Sequence, residues 1–274
     1  MRVRCAPMPT DRLRDRWARD EPAVNAWVMG SDAAIPASLA AAGFDGVTAD
    51  LQHGRHPESS LDVFAARVEL AGAVPMVRLR WNDPAEVMRV LDLGVRGVIA
   101  PMIGSADEAA RLVAAARYPP EGMRSYGPVA GAFGSGREQT AVANAHVLVF
   151  AMIETAGGLA DVDAIAATPG LDGLYVGPAD LGLSLGLASF ADLRDERLLE
   201  TLAAVLEACR RHGIVPGVHA PTADKSVEMV ERGFRLVTPL VDEDGLTAVA
   251  RDTVARTRSA ISERRASDGD PSRR

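Results

Sequence analysis

Eight short apolar runs recur along the chain, each followed by a stretch that can form an amphipathic helix, and this alternation constrains the fold more than any other feature. The runs cover residues 26–29, 46–50, 74–79, 97–101, 147–153, 173–176, 215–218 and 236–239. Helical patterns occupy 38–42, 84–93, 106–116, 159–167, 197–212, 223–233 and 246–263, several of them stopped by glycine, the expected C-terminal signal. Eight strands in this order predict an α/β fold, a TIM (β/α)8 barrel, with a doubly wound open sheet as the alternative. No linker divides the pattern. The expected organisation is an N-terminal segment over 1–21, one barrel domain over 22–263 that includes a C-terminal helix, and a polar, disordered tail over 264–274.

Composition narrows the function. The chain has 274 residues, 47% hydrophobic and 24% charged, with a net charge of −7. No Lys/Arg stripe is present to track phosphates, so nucleic acid is not expected as a partner. No run approaches the ~18 apolar residues of a membrane span. The arginines near the start lack the apolar stretch of a secretory signal, and Cys5 and Cys209 cannot build a disulfide framework, so a cytoplasmic protein is expected. Of the 30 basic residues only Lys225 is a lysine, and it opens a helix pattern in Ala-Asp-Lys-Ser-Val-Glu. Schiff-base chemistry would need that amine in a desolvated pocket, which a polar helix start does not offer.

In such a barrel, functional side chains sit at the C-terminal ends of strands and in the loops that follow. Trp27 lies near the end of the first run, Asp50-Leu51-Gln52-His53-Gly54 ends the second, and Arg78-Leu79-Arg80-Trp81 ends the third. Ile153-Glu154-Thr155 ends the fifth and Gly177-Pro178-Ala179-Asp180 follows the sixth. Glu154 and Asp180 follow neighbouring strands, so their carboxylates can converge over the barrel mouth. Two carboxylates with positions left open suit Mg2+ or Mn2+ better than a closed zinc site; the alternative is that each caps a helix or pairs with an arginine. Arg78 can hold a carboxylate or enolate oxygen in fixed geometry, or pair with a carboxylate at the mouth. Arg80 is a bystander.

His53, in a glycine-bounded turn, is placed for proton transfer. His56, His146 and His212 have weaker claims, and His219, at the end of the seventh strand, can line the pocket. Asp92 falls in the last turn of its helix pattern, where the macrodipole disfavours an anion, and this raises its functional interest. Asp83, followed by Pro84 and Glu86, reads instead as a helix N-cap. The glycine-rich segment Gly122-Met123-Arg124-Ser125-Tyr126-Gly127 reads as a lid or phosphate-contacting loop, or as a disordered one. Leu-Gly-Leu-Ser-Leu-Gly at 181–186 lacks the preceding strand of a dinucleotide fingerprint.

Five of these segments, Asp50 to Gly54, Val77 to Pro84, Ala116-Arg117-Tyr118-Pro119-Pro120, Ile153-Glu154-Thr155 and Gly177-Pro178-Ala179-Asp180-Leu181, together resemble the HpcH/HpaI aldolase family in order and spacing, from about residue 25 to about residue 240. That family includes 4-hydroxy-2-oxoheptanedioate aldolase and related sugar-acid and rhamnonate aldolases. The resemblance implies a metal-dependent class II aldolase with a divalent cation, Mg2+ or Mn2+ with Co2+ as a further option, held by Glu154 and Asp180 and chelated by pyruvate. It implies that the backbone N–H groups of Ala179 and Asp180 contact the pyruvate carboxylate and that Arg78 holds the keto oxygen. His53, with Asp92 of a neighbouring subunit and Asp50 nearby, would orient water and move the proton; Trp27 and the Arg124 loop would shape the aldehyde side. A homo-oligomer, typically a hexamer that exchanges a C-terminal helix, is implied as well.

Two departures stand out. Met152 occupies the place of a glutamine two residues before the metal-binding glutamate, and Gln52 replaces the glutamate beside the histidine. The implied reaction is reversible cleavage of a 2-keto-4-hydroxy acid to pyruvate, or a close 2-keto acid, and an aldehyde. The rival readings are a citrate-lyase-β-like acyl-CoA lyase, which would need a basic surface for the CoA phosphates, and a non-catalytic keto-acid-binding paralogue.

Overall fold

The eight apolar runs pair in chain order into a closed parallel barrel in the computed structural model, which describes residues 9–129, 136–188 and 192–268. The strands are β1 (Ala23–Val28), β2 (Gly46–Asp50), β3 (Val74–Arg78), β4 (Gly97–Ala100), β5 (Leu148–Ile153), β6 (Gly173–Val176), β7 (Val215–His219) and β8 (Leu236–Val241). β1 closes the circle against β8, with Trp27 in register with Val241. The TIM-barrel expectation holds, and the open sheet is excluded.

Alternation along each strand sorts side chains into two cores. Val77, Val98, Val149 and Val176 point outward into the layer beneath the helices, whereas Met76, Ile99, Phe150 and Tyr175 fill the barrel interior. Interior space is shared between large residues and glycines on neighbouring strands. A Cβ at Gly97 would stand 2.9 Å from Met76, one at Gly173 2.4 Å from Phe150, and one at Gly217 2.7 Å from Tyr175. Buried polar atoms are satisfied in one chain: Thr48 donates to Asn25 (3.0 Å), Asn25 donates to Thr238 (3.0 Å), and the Tyr175 hydroxyl lies 2.6 Å from the Thr238 hydroxyl.

Helices cover the barrel, and their ends follow local chemistry. Asp83 accepts from the Ala85 N–H with Pro84 in the first turn, as its sequence predicts. The helices Leu61–Leu70 and Gly136–His146 lie outside the predicted set, although Leu61, Phe64, Ala65 and Val68 carry the helical period. The expected 159–167 helix is broken at Asp161 into Ala156–Ala160 and Val162–Ala166.

A helix over Pro9–Ala18 was also not foreseen. It closes the lower end of the barrel: Leu13 joins the interior cluster, Trp17 packs against that cluster, and the Trp17 indole donates to the Arg235 carbonyl at 2.9 Å. Burying Leu13 contributes on the order of 1.5–3 kcal/mol. The signal was only two apolar residues spaced i, i+4 among arginines and aspartates.

The last helix, Asp242–Asp268, starts earlier than expected and continues past residue 263 into the stretch assigned to the polar tail. Residues 269–274 lie outside the described ones. No helix among the described residues is long and apolar enough to cross a membrane.

Candidate active site

Sequence predicts that chemistry gathers where the strands end, and six of the predicted residues meet there. A cavity of about 350 Å3 at the C-terminal ends of the strands is lined by Trp27, Asp50, His53, Arg78, Ala179 and Asp180, together with Met152, Gly177, His219, Glu243 and Asp244. A larger cavity of about 760 Å3 opens at the opposite end, beside Trp17 and Ile214, but none of the strand-end polar groups reaches it. In a TIM barrel the C-terminal face carries the chemistry, so the smaller cavity is the candidate site.

Asp50 anchors one wall. It is wholly buried and accepts five hydrogen bonds: from the backbone N–H groups of Gln52 (2.9 Å) and His53 (3.1 Å), from the Trp27 indole (3.1 Å), and from Arg78 through Nε (3.0 Å) and Nη2. Burial alone would raise its carboxyl, but the hydrogen bonds and charge of Arg78, with His53 N–H and Trp27 adding to them, hold it below the usual aspartate range. Arg78 is 7% exposed, and its guanidinium lies 5.1 Å from the Trp27 ring centroid. Trp27 in turn stacks on Tyr175 at 5.8 Å and meets the edge of His219 at 5.1 Å. Burial, reinforced by the Arg78 charge, pushes the His219 imidazole down to about 4, so the ring is neutral.

Glu154 lies behind the opposite wall, 1% exposed. Its Oε1 accepts the Met102 N–H at 2.8 Å, while Oε2 is buried without a partner. Burial pushes the carboxyl up to about 7; the Met102 hydrogen bond opposes this, and the Asp180 charge adds to it. Gly177, which lines the cavity, packs against Oε2: a Cβ there would stand 2.6 Å from Oε2 and 2.7 Å from the Met152 methyl. Asp180 stands exposed in the first turn of the short helix Pro178–Ser184. Among the described residues no group of three or more His, Cys, Asp or Glu side chains forms a ready metal cage. The Asp180 charge acts on Glu154, so the two carboxylates stand within electrostatic reach of each other at this wall.

The remaining expectations separate from this cavity. Asp92 ends the helix Pro84–Asp92, at the opposite end of the barrel within one chain, where Arg124 donates to its carboxylate at 2.8 Å. Arg124 is buried, 4.5 Å from the Tyr118 ring centroid, and its backbone N–H donates to the Arg117 carbonyl. The 122–127 segment follows the helix Ala106–Ala116 and so returns to the lower face. There it is held by the Met123 N–H to the Ala114 carbonyl and by the Val129 N–H to the Asp92 carbonyl, and it does not cover the cavity. Arg80 pairs with Glu86 at 2.6 Å, consistent with a bystander. His56 is buried against Phe64, and burial lowers its imidazole. Lys225 opens the helix Ala223–Arg232, outside the cavity lining.

Glu243 and Asp244 were missed; they reach the rim because the C-terminal helix begins at Asp242. Asp242 itself accepts the Met29 and Gly30 N–H groups at 2.9 and 3.2 Å and binds the start of that helix to the loop after β1. Met102 was missed because its contribution is a backbone N–H.

Comparison with known proteins identifies the family. The family model for HpcH/HpaI aldolase/citrate lyase matches residues 24–245. A hydroxypyruvate/pyruvate aldolase of Rhizorhabdus wittichii is 33% identical over 249 residues, 91% of this chain and 99% of its own. The enzyme of the same name from Paraburkholderia phytofirmans is 36% identical over 261 residues, covering 91% and 98%. The crystal structure of an HpcH/HpaI aldolase/citrate lyase family protein from Burkholderia cenocepacia superposes with a TM-score of 0.83 at 34% identity, over 91% of this chain and 98% of that one. The chain therefore belongs to the HpcH/HpaI aldolase/citrate lyase family and is a carbon–carbon lyase of the aldolase type.

Proposed function

We propose that the enzyme reversibly cleaves a 2-keto-4-hydroxy acid into pyruvate, or a close 2-keto acid, and an aldehyde, with a divalent cation held by Glu154 and Asp180. The observation that carries the reading is the Glu154 carboxylate, buried with one oxygen lacking a partner, beside the charge of Asp180. A charged group without a partner in such a place is costly, and a hard cation with oxygen ligands removes that cost. The donor set fits Mg2+ or Mn2+, with Co2+ a further option. Relatives with more than 30% identity that carry the name hydroxypyruvate/pyruvate aldolase point to the same substrate class. When bound, the cation would polarise the C2 carbonyl and offset charge on the enolate.

The chain's own residues supply the rest. The guanidinium of Arg78, fixed by Asp50 and by the face of Trp27, stands ready to bind the keto oxygen and to meet the charge that develops there. By family likeness the backbone N–H groups of Ala179 and Asp180 take the carboxylate, and both residues line the cavity. His53, with its backbone tied to Asp50 and its residue on the cavity wall, accepts the C4 hydroxyl proton as the C3–C4 bond breaks. Protonation at C3 then gives the 2-keto acid. Trp27 and Met152 form apolar wall on which the aldehyde part rests.

Asp92 and Arg124 are paired with each other away from the cavity, so they serve a site only across a subunit boundary. Self-association, as a hexamer by family likeness, is supported by the C-terminal helix, which exposes Leu246, Val249, Val254 and Ile261. The test is pyruvate release from a panel of hydroxy-keto acids by metal-stripped enzyme, with and without Mg2+ or Mn2+, beside Arg78→Ala. Cleavage that survives both metal removal and the substitution unchanged removes the proposal.

A further inference from the structure

One feature of the barrel mouth is a matter of backbone. Met102, two residues past β4, has a φ of 57°. That is the left-handed region, where an L side chain crowds the following carbonyl. The other described non-glycine residue there is Asp20, of a type that tolerates the conformation. Methionine has no such tolerance.

The segment is pinned on three sides. The Met102 N–H donates to Glu154 Oε1 at 2.8 Å, and the Ile103 N–H donates to the Met152 carbonyl at 3.3 Å. Gly158 packs so closely that a Cβ there would stand 2.4 Å from the Ile103 carbonyl oxygen. The loop after β4 thus grips the end of β5 on both sides of Ile153. Conformations of this kind persist only where the surroundings over-determine them, and they cluster at functional sites.

We infer that Met102 is a positioning residue: its left-handed backbone aims the N–H at Glu154, ties down Oε1, and leaves Oε2 as the oxygen offered to a divalent cation. The inference rests on the metal reading of Glu154 and Asp180 given above. The side chain at 102, 36% exposed, is not the active element. With Oε1 engaged by the N–H, the carboxylate is held in one orientation, and Oε2 is left as its oxygen without a partner.

The experiment is titration of Mn2+ alone into metal-stripped protein, followed by calorimetry, with thermal melts of the same samples. Met102→Gly keeps the N–H and adopts a left-handed φ without strain, so it melts no lower than wild type. Met102→Val places a β-branched side chain where it is least tolerated and turns the N–H away. Gly158→Ala displaces the same loop from the other side.

Mn2+ affinity is expected within about 2-fold of wild type for Met102→Gly and at least ~10-fold weaker for Met102→Val and Gly158→Ala, the range seen when a group that orients a metal ligand is lost. Unchanged affinity in either weakened variant, so long as it folds, overturns the positioning role. An equal loss in Met102→Gly and Met102→Val also overturns it, by pointing to the methionine side chain instead. Wild-type protein that takes up no Mn2+ overturns the metal reading itself, and the inference falls with it.

Discussion

Asp50 and Arg78 are register partners across β2 and β3, and their side chains join in a two-point ion pair that also seats the indole of Trp27. Because each group is buried, either one left alone would be an uncompensated charge. Asp50→Asn is expected to lower kcat about 100-fold and to destabilise the fold by ~3–5 kcal/mol, the usual range when one partner of a buried pair is removed. Arg78→Ala should lower kcat/KM by roughly 10³, since it removes charge at the developing enolate. Steady-state kinetics beside chemical denaturation separate the two effects; an Asp50→Asn enzyme with wild-type kcat would show that the pair only supports the fold.

Glu154→Gln should abolish metal binding while it stabilises the metal-free protein at pH 8. The sign follows from the carboxyl, which burial raises to about 7, above its unfolded value near 4.5. Its favourable contribution is complete below pH 4.5 and is lost as pH rises through 7, so above that point the neutral amide is the better occupant. Melting temperatures of stripped wild type and variant should differ at pH 8 and converge near pH 4.5. A variant that melts lower at both values contradicts the account.

His219 predicts acid sensitivity. Its folded-state value near 4 lies below the unfolded 6.5, so the neutral ring contributes stability that is present above pH 6.5 and is lost as pH falls through 4. The amount is at most ~3 kcal/mol, less for the part of the ring that water reaches. His219→Phe should flatten the stability profile between pH 6.5 and 4 in denaturant titrations, and a slope identical to wild type would exclude His219 as its source.

The exposed stripe of the C-terminal helix predicts a change of assembly. Leu246→Glu combined with Val254→Glu should shift the protein to smaller species in sedimentation velocity, while the barrel keeps its far-ultraviolet dichroism. Leu246 is 67% and Val254 47% exposed in the single chain, so charge there harms only an interface. Unchanged sedimentation would place any interface elsewhere.

Strand positions were legible because short, mostly apolar runs bounded by turn residues admit few other readings. β1 was read to start three residues late because Asn25 looks like a break, although Thr48 and Thr238, from β2 and β8, satisfy its side chain. Trp27, Asp50, His53, Arg78, Ala179 and Asp180 were legible as a group because each marks the point where an apolar run meets polar chain. Asp92 stood out as an anion in the last turn of its helix and Arg124 through its glycine-rich loop, and within one chain the two pair with each other. Met102 left no trace in the pattern, since a φ value is decided by neighbours fifty residues away and not by the side chain that bears it.

The interior of this barrel holds glycine beside bulk at three seams: 97 with 76, 173 with 150, and 217 with 175. Divergence at 97 is therefore a two-locus problem: a larger residue there is viable only after Met76 has been trimmed, and the reverse order leaves a void. At 173 no partner change suffices, because a Cβ would also stand 2.3 Å from the Val215 carbonyl oxygen, so that glycine is held by the backbone of the next strand.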